Sequence, residues 1–304
     1  MTYSIVALDP SSGELGVAVQ SHYFSVGPIV PWAEAGVGAV ATQSLVDVSY
    51  GPKGLDLMRL DICAADALAQ LLAMDDKASV RQVAMVDANG GIATHTGNSC
   101  IEAAGHLVGE GFSVQANMMA KDTVWDAMAA AFTATTSELS LRLLAALDAA
   151  EAEGGDIRGR QSAAMLIVSG TPTGNVWEDR LLELRVEDHP EPLEELRRLV
   201  MLRSSYDLAS RGDEQMIDDP QAGAELFSKA AALAQGNAEL RFWHAVNLAA
   251  TGKLDDAKEL LRPVLEAHGG WEELLWRLPK AGLFPDDPAL IRELTGRDRP
   301  GTAT

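Results

Sequence analysis

Cysteine is scarce in this 304-residue sequence, which contains only Cys63 and Cys100. Two cysteines are too few for a disulfide framework, and no cysteine or histidine pair has the spacing of a zinc site. The segment Gly36-Val37-Gly38 lacks the third glycine and the following helix of a dinucleotide-binding loop, and no Walker loop is present. The sequence therefore predicts neither a metal nor an organic cofactor.

Long apolar runs are also missing. No stretch approaches the roughly 18 consecutive apolar residues that a transmembrane helix needs. The N-terminus, Met1-Thr2-Tyr3-Ser4, has neither the basic segment nor the apolar segment of a secretion signal. We therefore expect a cytoplasmic protein that does not enter a membrane.

Positive charge is in short supply, with 24 Lys and Arg residues against 44 Asp and Glu residues and a net charge of -20. Such a surface repels phosphate backbones and anionic lipids, which argues against nucleic-acid and membrane-surface binding. Solubility is a sufficient explanation of the acidity. A cationic partner is compatible with it but not required.

The first 190 residues alternate pairs of predicted strands with blocks of predicted helix. Turn signals such as Asn89-Gly90 separate apolar runs, as expected for antiparallel hairpins. The order differs from the strict alternation of doubly wound folds and indicates an α+β domain with helices layered on antiparallel sheets. The predicted strands are 4–8, 15–21, 36–44, 82–87, 92–96, a pair or bent strand over 105–117, 161–169 and 182–186, and the predicted helices are 51–60, 64–74 and 121–153.

A domain boundary is predicted near His189-Pro190, which divides the chain into domains 1–190 and 191–304. The second domain is helical and shows a 34-residue period, typical of tetratricopeptide repeats. The matching positions are Gly223, Phe227 and Ala230 against Ala257, Leu261 and Val264. The alternative is an ordinary helical extension with a chance period. If the repeat is real, this tail can dock a protein partner.

Thr2 is a candidate nucleophile. Removal of Met1 would leave a hydroxyl and a free α-amine on one residue, and the amine, with a pKa of about 8, can act as the general base. Ser4 lies on the same face of the first predicted strand and is the other candidate. The alternative is that Thr2 is an unimportant terminal residue.

Polar side chains recur at the ends of predicted strands, where they can bind a small polar substrate or an oxyanion. The groups that we assign to substrate binding are Gln20, Ser21, Thr42, Gln43 and Asn117, with Arg160 as a partner for a substrate carboxylate. Gln115 stands in the same strand as Asn117. All of these residues can instead serve as turn or cap residues. A further alternative is a different site built on His95 and Asp87, which share one predicted hairpin.

Several motifs together resemble one family. They include Thr2-Tyr3-Ser4-Ile5-Val6-Ala7, Gly13 to Ser21, Gly36 to Gln43, Tyr50-Gly51-Pro52-Lys53-Gly54, Gly109-Glu110-Gly111-Phe112, Gln115-Ala116-Asn117 and Gly155-Asp156 with Arg158 to Ser162. The set, over roughly residues 2–190, resembles the bacterial "domain of unknown function 1028" family. That resemblance implies the four-layer α-β-β-α sandwich of the N-terminal-nucleophile hydrolases.

The resemblance does not carry over a complete catalytic apparatus. Proteasome-like members of that fold class use an acid after the second strand and a lysine on the third, where this sequence has Gln20-Ser21 and Thr42-Gln43. Two hypotheses follow. The chain is either an amidohydrolase that acts on a small amide or carbamoyl substrate through Thr2, or a non-catalytic scaffold that uses its helical tail. The fold class also favours a homodimer.

Overall fold

The computed structural model describes residues 2–234 and 236–298, apart from the side chain of Ile217. The strands are β1 (Thr2–Leu8), β2 (Leu15–Ser21), β3 (Pro31–Glu34), β4 (Gly38–Ser44), β5 (Arg81–Asp87), β6 (Ile92–Thr96), β7 (Gly105–Gly109), β8 (Phe112–Asn117), β9 (Ser162–Val168) and β10 (Arg180–Val186). The helices of the first 200 residues are α1 (Tyr50–Arg59), α2 (Ala64–Ala73), α3 (Val124–Ala134), α4 (Leu139–Ala152), α5 (Val176–Asp179) and the start of α6 (Pro192–Asp218).

The strands form two antiparallel sheets. One sheet has six strands in the order β10-β9-β2-β1-β8-β7, and the other has four in the order β3-β4-β5-β6. In the first sheet, β1 lies between β2 and β8, so that Thr2 is paired with both Ser21 and Asn117. This register sets the surroundings of the candidate nucleophile.

Side chains of alternating strand positions build four layers. Tyr3 and Ile5 of β1 point to α3 and α4 on the outer face of the six-stranded sheet. Val6 points the other way, into the apolar layer between the sheets. Met85 of the four-stranded sheet packs against α1 and α2 on the far side. The predicted α+β class and α-β-β-α sandwich are confirmed.

Two segments differ in detail from the sequence-based prediction. The predicted helix over 121–153 is two helices, because Thr135, Thr136 and Ser137 fall in its middle, and such residues compete for backbone hydrogen bonds. The Thr135 hydroxyl donates to the carbonyl of Ala131, 2.8 Å away, where α3 ends. The segment 105–117 is a hairpin, with Gly111 in the left-handed conformation at its turn (φ +73°).

The chain divides into two compact units, residues 1–200 and 201–304. Helix α6 runs through the division, and the boundary at residue 190 stays a prediction. The second unit continues with α7 (Pro220–Leu233), α8 (Ala238–Ala250), α9 (Leu254–Ala267), α10 (Gly270–Arg277) and α11 (Pro288–Thr295). All six positions of the 34-residue period are buried, on α7 and α9. Over the described residues, no helix is long and apolar enough to cross a membrane.

Candidate functional site

Thr2 lies at the first position of β1, between the two sheets. Its side chain is buried, and its Oγ1 is 3.0 Å from Oγ of Ser21 on the neighbouring strand. The antiparallel register explains the contact, because directly opposed residues point to the same face of a sheet. The structure thus places two hydroxyl groups together at the strand end where we expected a nucleophile.

Two side-chain amides hold the Thr2 carbonyl oxygen from opposite sheets. Gln43 on β4 donates through Nε2 at 3.2 Å, and Asn117 on β8 donates through Nδ2 at 3.3 Å. Both side chains are almost fully buried. They fix the main chain of Thr2, which orients its hydroxyl.

Gln82 of β5 connects these two amides. Its Oε1 accepts from Nε2 of Gln43 at 2.7 Å and from Nδ2 of Asn117 at 2.8 Å. Its Nε2 is within 3.1 Å of three acceptors, which are Oγ1 of Thr96 and the carbonyl oxygens of Gly105 and Ala116. Gln82 is therefore the central residue of a buried group of amides, which we call the amide network and which consists of Gln43, Gln82, Gln115 and Asn117.

Ser4 is enclosed within the same network. Its hydroxyl donates to Oε1 of Gln43 at 2.6 Å and accepts from Nε2 of Gln115 at 2.6 Å. Gln115 is fixed in turn by the hydroxyl of Ser113, which donates to its Oε1 at 3.2 Å. The Ser4 side chain has no exposed surface, and its hydrogen bond to Gln43 connects the two sheets.

The amide network reaches the surface at Thr96. Its Oγ1 is 2.8 Å from Nδ1 of His106, and both residues line a surface cavity of about 640 Å³. Burial, together with the nearby His95, lowers the pKa of His106. A continuous series of hydrogen bonds therefore runs from the Thr2 carbonyl through Gln82 to an imidazole that stays neutral at neutral pH.

An ion pair lies beside the Thr2–Ser21 contact. Asp156 is buried and binds Arg158 through Oδ1 to Nε at 3.1 Å and through Oδ2 to Nη2 at 2.9 Å. The same Oδ2 accepts from the backbone N–H of His22, which follows Ser21 in the chain. This carboxylate and guanidinium come from the turn before β9, the turn that also contains the predicted site residue Arg160.

Three predicted substrate-binding residues lie away from the Thr2 hydroxyl. Gln20 is opposite Tyr3 and faces α3 and α4, and neither of its amide atoms has a partner among the described residues. Thr42 faces the α1–α2 layer and donates to the carbonyl of Asp47 at 3.0 Å. Arg160 forms ion pairs with Glu151 and Glu191.

The suggested His95–Asp87 site is wrong. His95 lies opposite Val83, four residues along β5 from Asp87, so the two side chains are separated by about 13 Å of strand. Asp87 is instead a turn residue that accepts from the backbone N–H groups of Ala64, Asn89 and Gly91. His95 Nε2 is 2.8 Å from the carbonyl oxygen of Ala78.

The alternation of strand positions separates the predicted residues that meet from those that do not. Ser21, Gln43 and Asn117 point into the same layer between the sheets as Thr2. Gln20 and Thr42 are each one strand position away and therefore point to the opposite face of their sheets. Gln82 is not among the residues predicted from the sequence, where it stands as a single polar residue at the start of an apolar strand. The described residues contain no group of three or more His, Cys, Asp or Glu side chains that could hold a metal ion.

Two models of known protein families match separate parts of the chain. The model of a family of unknown function, DUF1028, matches residues 2–196. The chain belongs to this family. A tetratricopeptide-repeat model matches residues 218–278, which confirms the repeat predicted from the 34-residue period. None of the curated proteins matches the chain.

A solved structure supports the same assignment. The crystal structure of a DUF1028 protein from Silicibacter pomeroyi is 30% identical, with a TM-score of 0.59. The match covers 66% of this chain and 87% of that chain. Both comparisons therefore indicate a DUF1028 domain, and the family's description assigns it no function.

Proposed function

We propose that the DUF1028 domain is an amidohydrolase of the N-terminal-nucleophile type, with Thr2 as the nucleophile. The observation that carries the proposal is the position of Thr2, whose hydroxyl lies beside Ser21 while two buried amides hold its carbonyl. Positioning of a nucleophile by surrounding hydrogen bonds is a general requirement of covalent catalysis. The substrate is a small amide or carbamoyl compound.

The reaction has two steps. The Thr2 α-amine takes the hydroxyl proton as Oγ1 attacks the amide carbonyl carbon, and the carbon–nitrogen bond then breaks while the proton passes to the leaving amine. Water hydrolyses the resulting ester and restores the hydroxyl. The α-amine exists only after removal of Met1, which lies outside the described residues.

The geometry favours Thr2 over Ser4. The Ser4 hydroxyl already donates its hydrogen to Gln43 and accepts another from Gln115, both at 2.6 Å. Reaction at Ser4 would break two short, buried hydrogen bonds, of which the one to Gln43 connects the sheets. Thr2 is at the strand terminus, and its hydroxyl is bonded to the hydroxyl of Ser21 on the neighbouring strand.

Covalent labelling tests the proposal. Full-length protein is incubated with a β-lactone, whose strained ring acylates a nucleophilic hydroxyl, and intact mass reports both the loss of Met1 and the added acyl group. We expect Met1 to be absent and one acyl group on Thr2. The variant Thr2→Ala is expected to stay unlabelled, and Thr2→Ser to be labelled.

A matched control is Thr136→Ala, which removes an exposed threonine hydroxyl outside the site. It is expected to be labelled like the parent. Retention of Met1 in the folded protein, or equal labelling of Thr2→Ala, would rule out the mechanism.

A second function is supported by the tetratricopeptide match over residues 218–278. We propose that this tail binds a protein partner, since repeats of this type present concave helical surfaces for binding. A pull-down tests this role. Substitutions that disrupt α7 to α9 in the full-length protein should abolish the capture of a partner that the parent protein captures.

A homodimer and a cytoplasmic location also stay predictions. Light scattering of the purified protein tests the homodimer.

A further inference from the structure

The second unit contains a groove between one face each of α7, α8 and α9, with a volume of about 840 Å³. Its apolar lining includes Leu248 and Leu260, and His244 lies beside them. The His244 ring stacks on the buried Phe227, with the ring planes inclined by 12° and the centroids 5.7 Å apart. We call this feature the tail groove. Its volume exceeds what one side chain fills, which suits a short peptide segment.

The charges that line the tail groove are mostly negative. Glu225 on α7 and Asp256 and Glu259 on α9 contribute carboxylates, and Lys253 contributes the opposing ammonium group. All four side chains are exposed, and none of them takes part in an ion pair among residues 2–234 and 236–298. Three carboxylates against one ammonium group therefore give the tail groove a net negative charge.

His244 does not offset this charge. Burial lowers the pKa of its imidazole, and the nearby Lys253 acts in the same direction, while Asp256 opposes them. The ring is consequently neutral at neutral pH and serves as an aromatic surface against Phe227. The tail groove thus combines a net negative rim with an apolar and aromatic interior.

We propose that the tail groove binds a peptide segment in which Lys or Arg residues alternate with aliphatic residues. The aliphatic side chains would contact Leu248, Leu260 and the His244 ring, and the cationic side chains would meet the three carboxylates. Acidic peptides and nucleic acid are repelled by the same carboxylates, and a second copy of a chain with net charge -20 is disfavoured for the same reason. The proposal rests on the binding role of the tail and does not depend on the hydrolase.

Fluorescence anisotropy of the full-length protein tests this inference. The probe is a fluorescein-labelled octapeptide of alternating Leu and Lys, and its matched partner alternates Leu and Glu. Binding of the Leu–Lys peptide alone is expected, with an affinity that falls as salt rises from about 0.05 to 0.5 M. Glu225→Gln and Glu259→Gln should each weaken binding about two- to fivefold, as exposed ion pairs do, and Lys253→Gln should strengthen it.

The control is Glu266→Gln, which removes an exposed carboxylate from α9 outside the tail groove. An equal loss of affinity in this variant, or equal binding of the Leu–Glu peptide, would overturn the proposal. So would self-association, measured by sedimentation, that disappears in Glu225→Gln, because the occupant would then be a second copy. Hydrogen exchange shows where the Leu–Lys peptide binds. Protection of another surface of the tail would leave the proposed binding role of the tail intact but would overturn the proposal that the tail groove is the binding site.

Discussion

Gln82 on β5 and Asn117 on β8 are joined by a 2.8 Å hydrogen bond between Oε1 and Nδ2, across the interface of the two sheets. Most of that interface is apolar, but at the Thr2 end four amide side chains replace the aliphatic ones. Buried amides are costly unless each group is paired, and here the pairs are made both within each sheet and between the two sheets. The amide network therefore determines how the sheets meet next to the candidate nucleophile.

Replacement of the central residue should show this cost. Gln82→Leu removes the acceptor of Gln43 and Asn117 and the donor to two backbone carbonyls. We expect the free energy of unfolding to fall by about 3 kcal/mol, because buried groups lose their partners. Chemical denaturation measures it. Gln70→Leu, at an exposed position of α2, is the control and should change stability little.

Gln20 allows the opposite experiment on a residue of the same type and the same burial. Neither of its amide atoms has a partner among the described residues, and its side chain has no exposed surface. Gln20→Leu removes an unpaired amide and loses no hydrogen bond. We therefore expect the free energy of unfolding to rise by about 1 kcal/mol. A loss as large as that of Gln82→Leu would show that the Gln20 amide is bonded in solution.

The contrast between these two glutamines also shows what the sequence could and could not predict. Strand alternation and turn signals placed β1, β2, β4, β5 and β6 within a residue or two of their observed bounds. The polar strand ends pointed to the end of the sandwich where the amide network lies. The choice between Ser21 and Gln20 required the phase of β2 relative to Thr2, which depends on the pairing register.

Other parts of the site depend on contacts between distant segments. Arg158 and Arg160 stand two residues apart in one turn, and nothing in the sequence shows which of them meets Asp156. Tertiary structure decides it, since Glu151 and Glu191 pair with Arg160. Gln82 gave no signal either, because one polar residue at the start of an apolar strand is common.

The acid stability of the domain should depend on Asp75. A hydrogen bond from Arg81 lowers the pKa of Asp75 to about 2, below the value of about 3.9 expected in the unfolded chain. The folded state therefore gains stability from the carboxylate above pH 4, and loses it as the pH falls toward 2. Asp75→Asn should lower the melting temperature at pH 7 but much less at pH 2.5.

The neighbouring Asp76 provides the control for this pH dependence. Asp76 is exposed and forms no ion pair in the part of the chain that the structure describes. Asp76→Asn is expected to melt like the parent at both pH values. If Asp75→Asn and the parent differ by the same amount at pH 7 and pH 2.5, the ion pair with Arg81 is not the cause.

The Asp156–Arg158 ion pair should support both the stability of the domain and the reactivity of Thr2. The Asp156 carboxylate is fully buried and holds the backbone N–H of His22, next to Ser21. Asp156→Asn removes the charge but keeps the size, and we expect the free energy of unfolding to fall by about 2 kcal/mol, as for loss of charged hydrogen bonds. We also expect slower labelling of Thr2 by the β-lactone, because Ser21 would shift.

The comparison is with a surface ion pair of the same two residue types. Asp148 pairs with Arg197, and both side chains are partly exposed at 40–45%, so Asp148→Asn should cost less than about 1 kcal/mol and leave the labelling rate unchanged. Labelling is measured at a temperature where all variants are folded, which separates reactivity from stability. Asp156→Asn that is less stable but labelled at the parent rate would assign the ion pair to the fold alone.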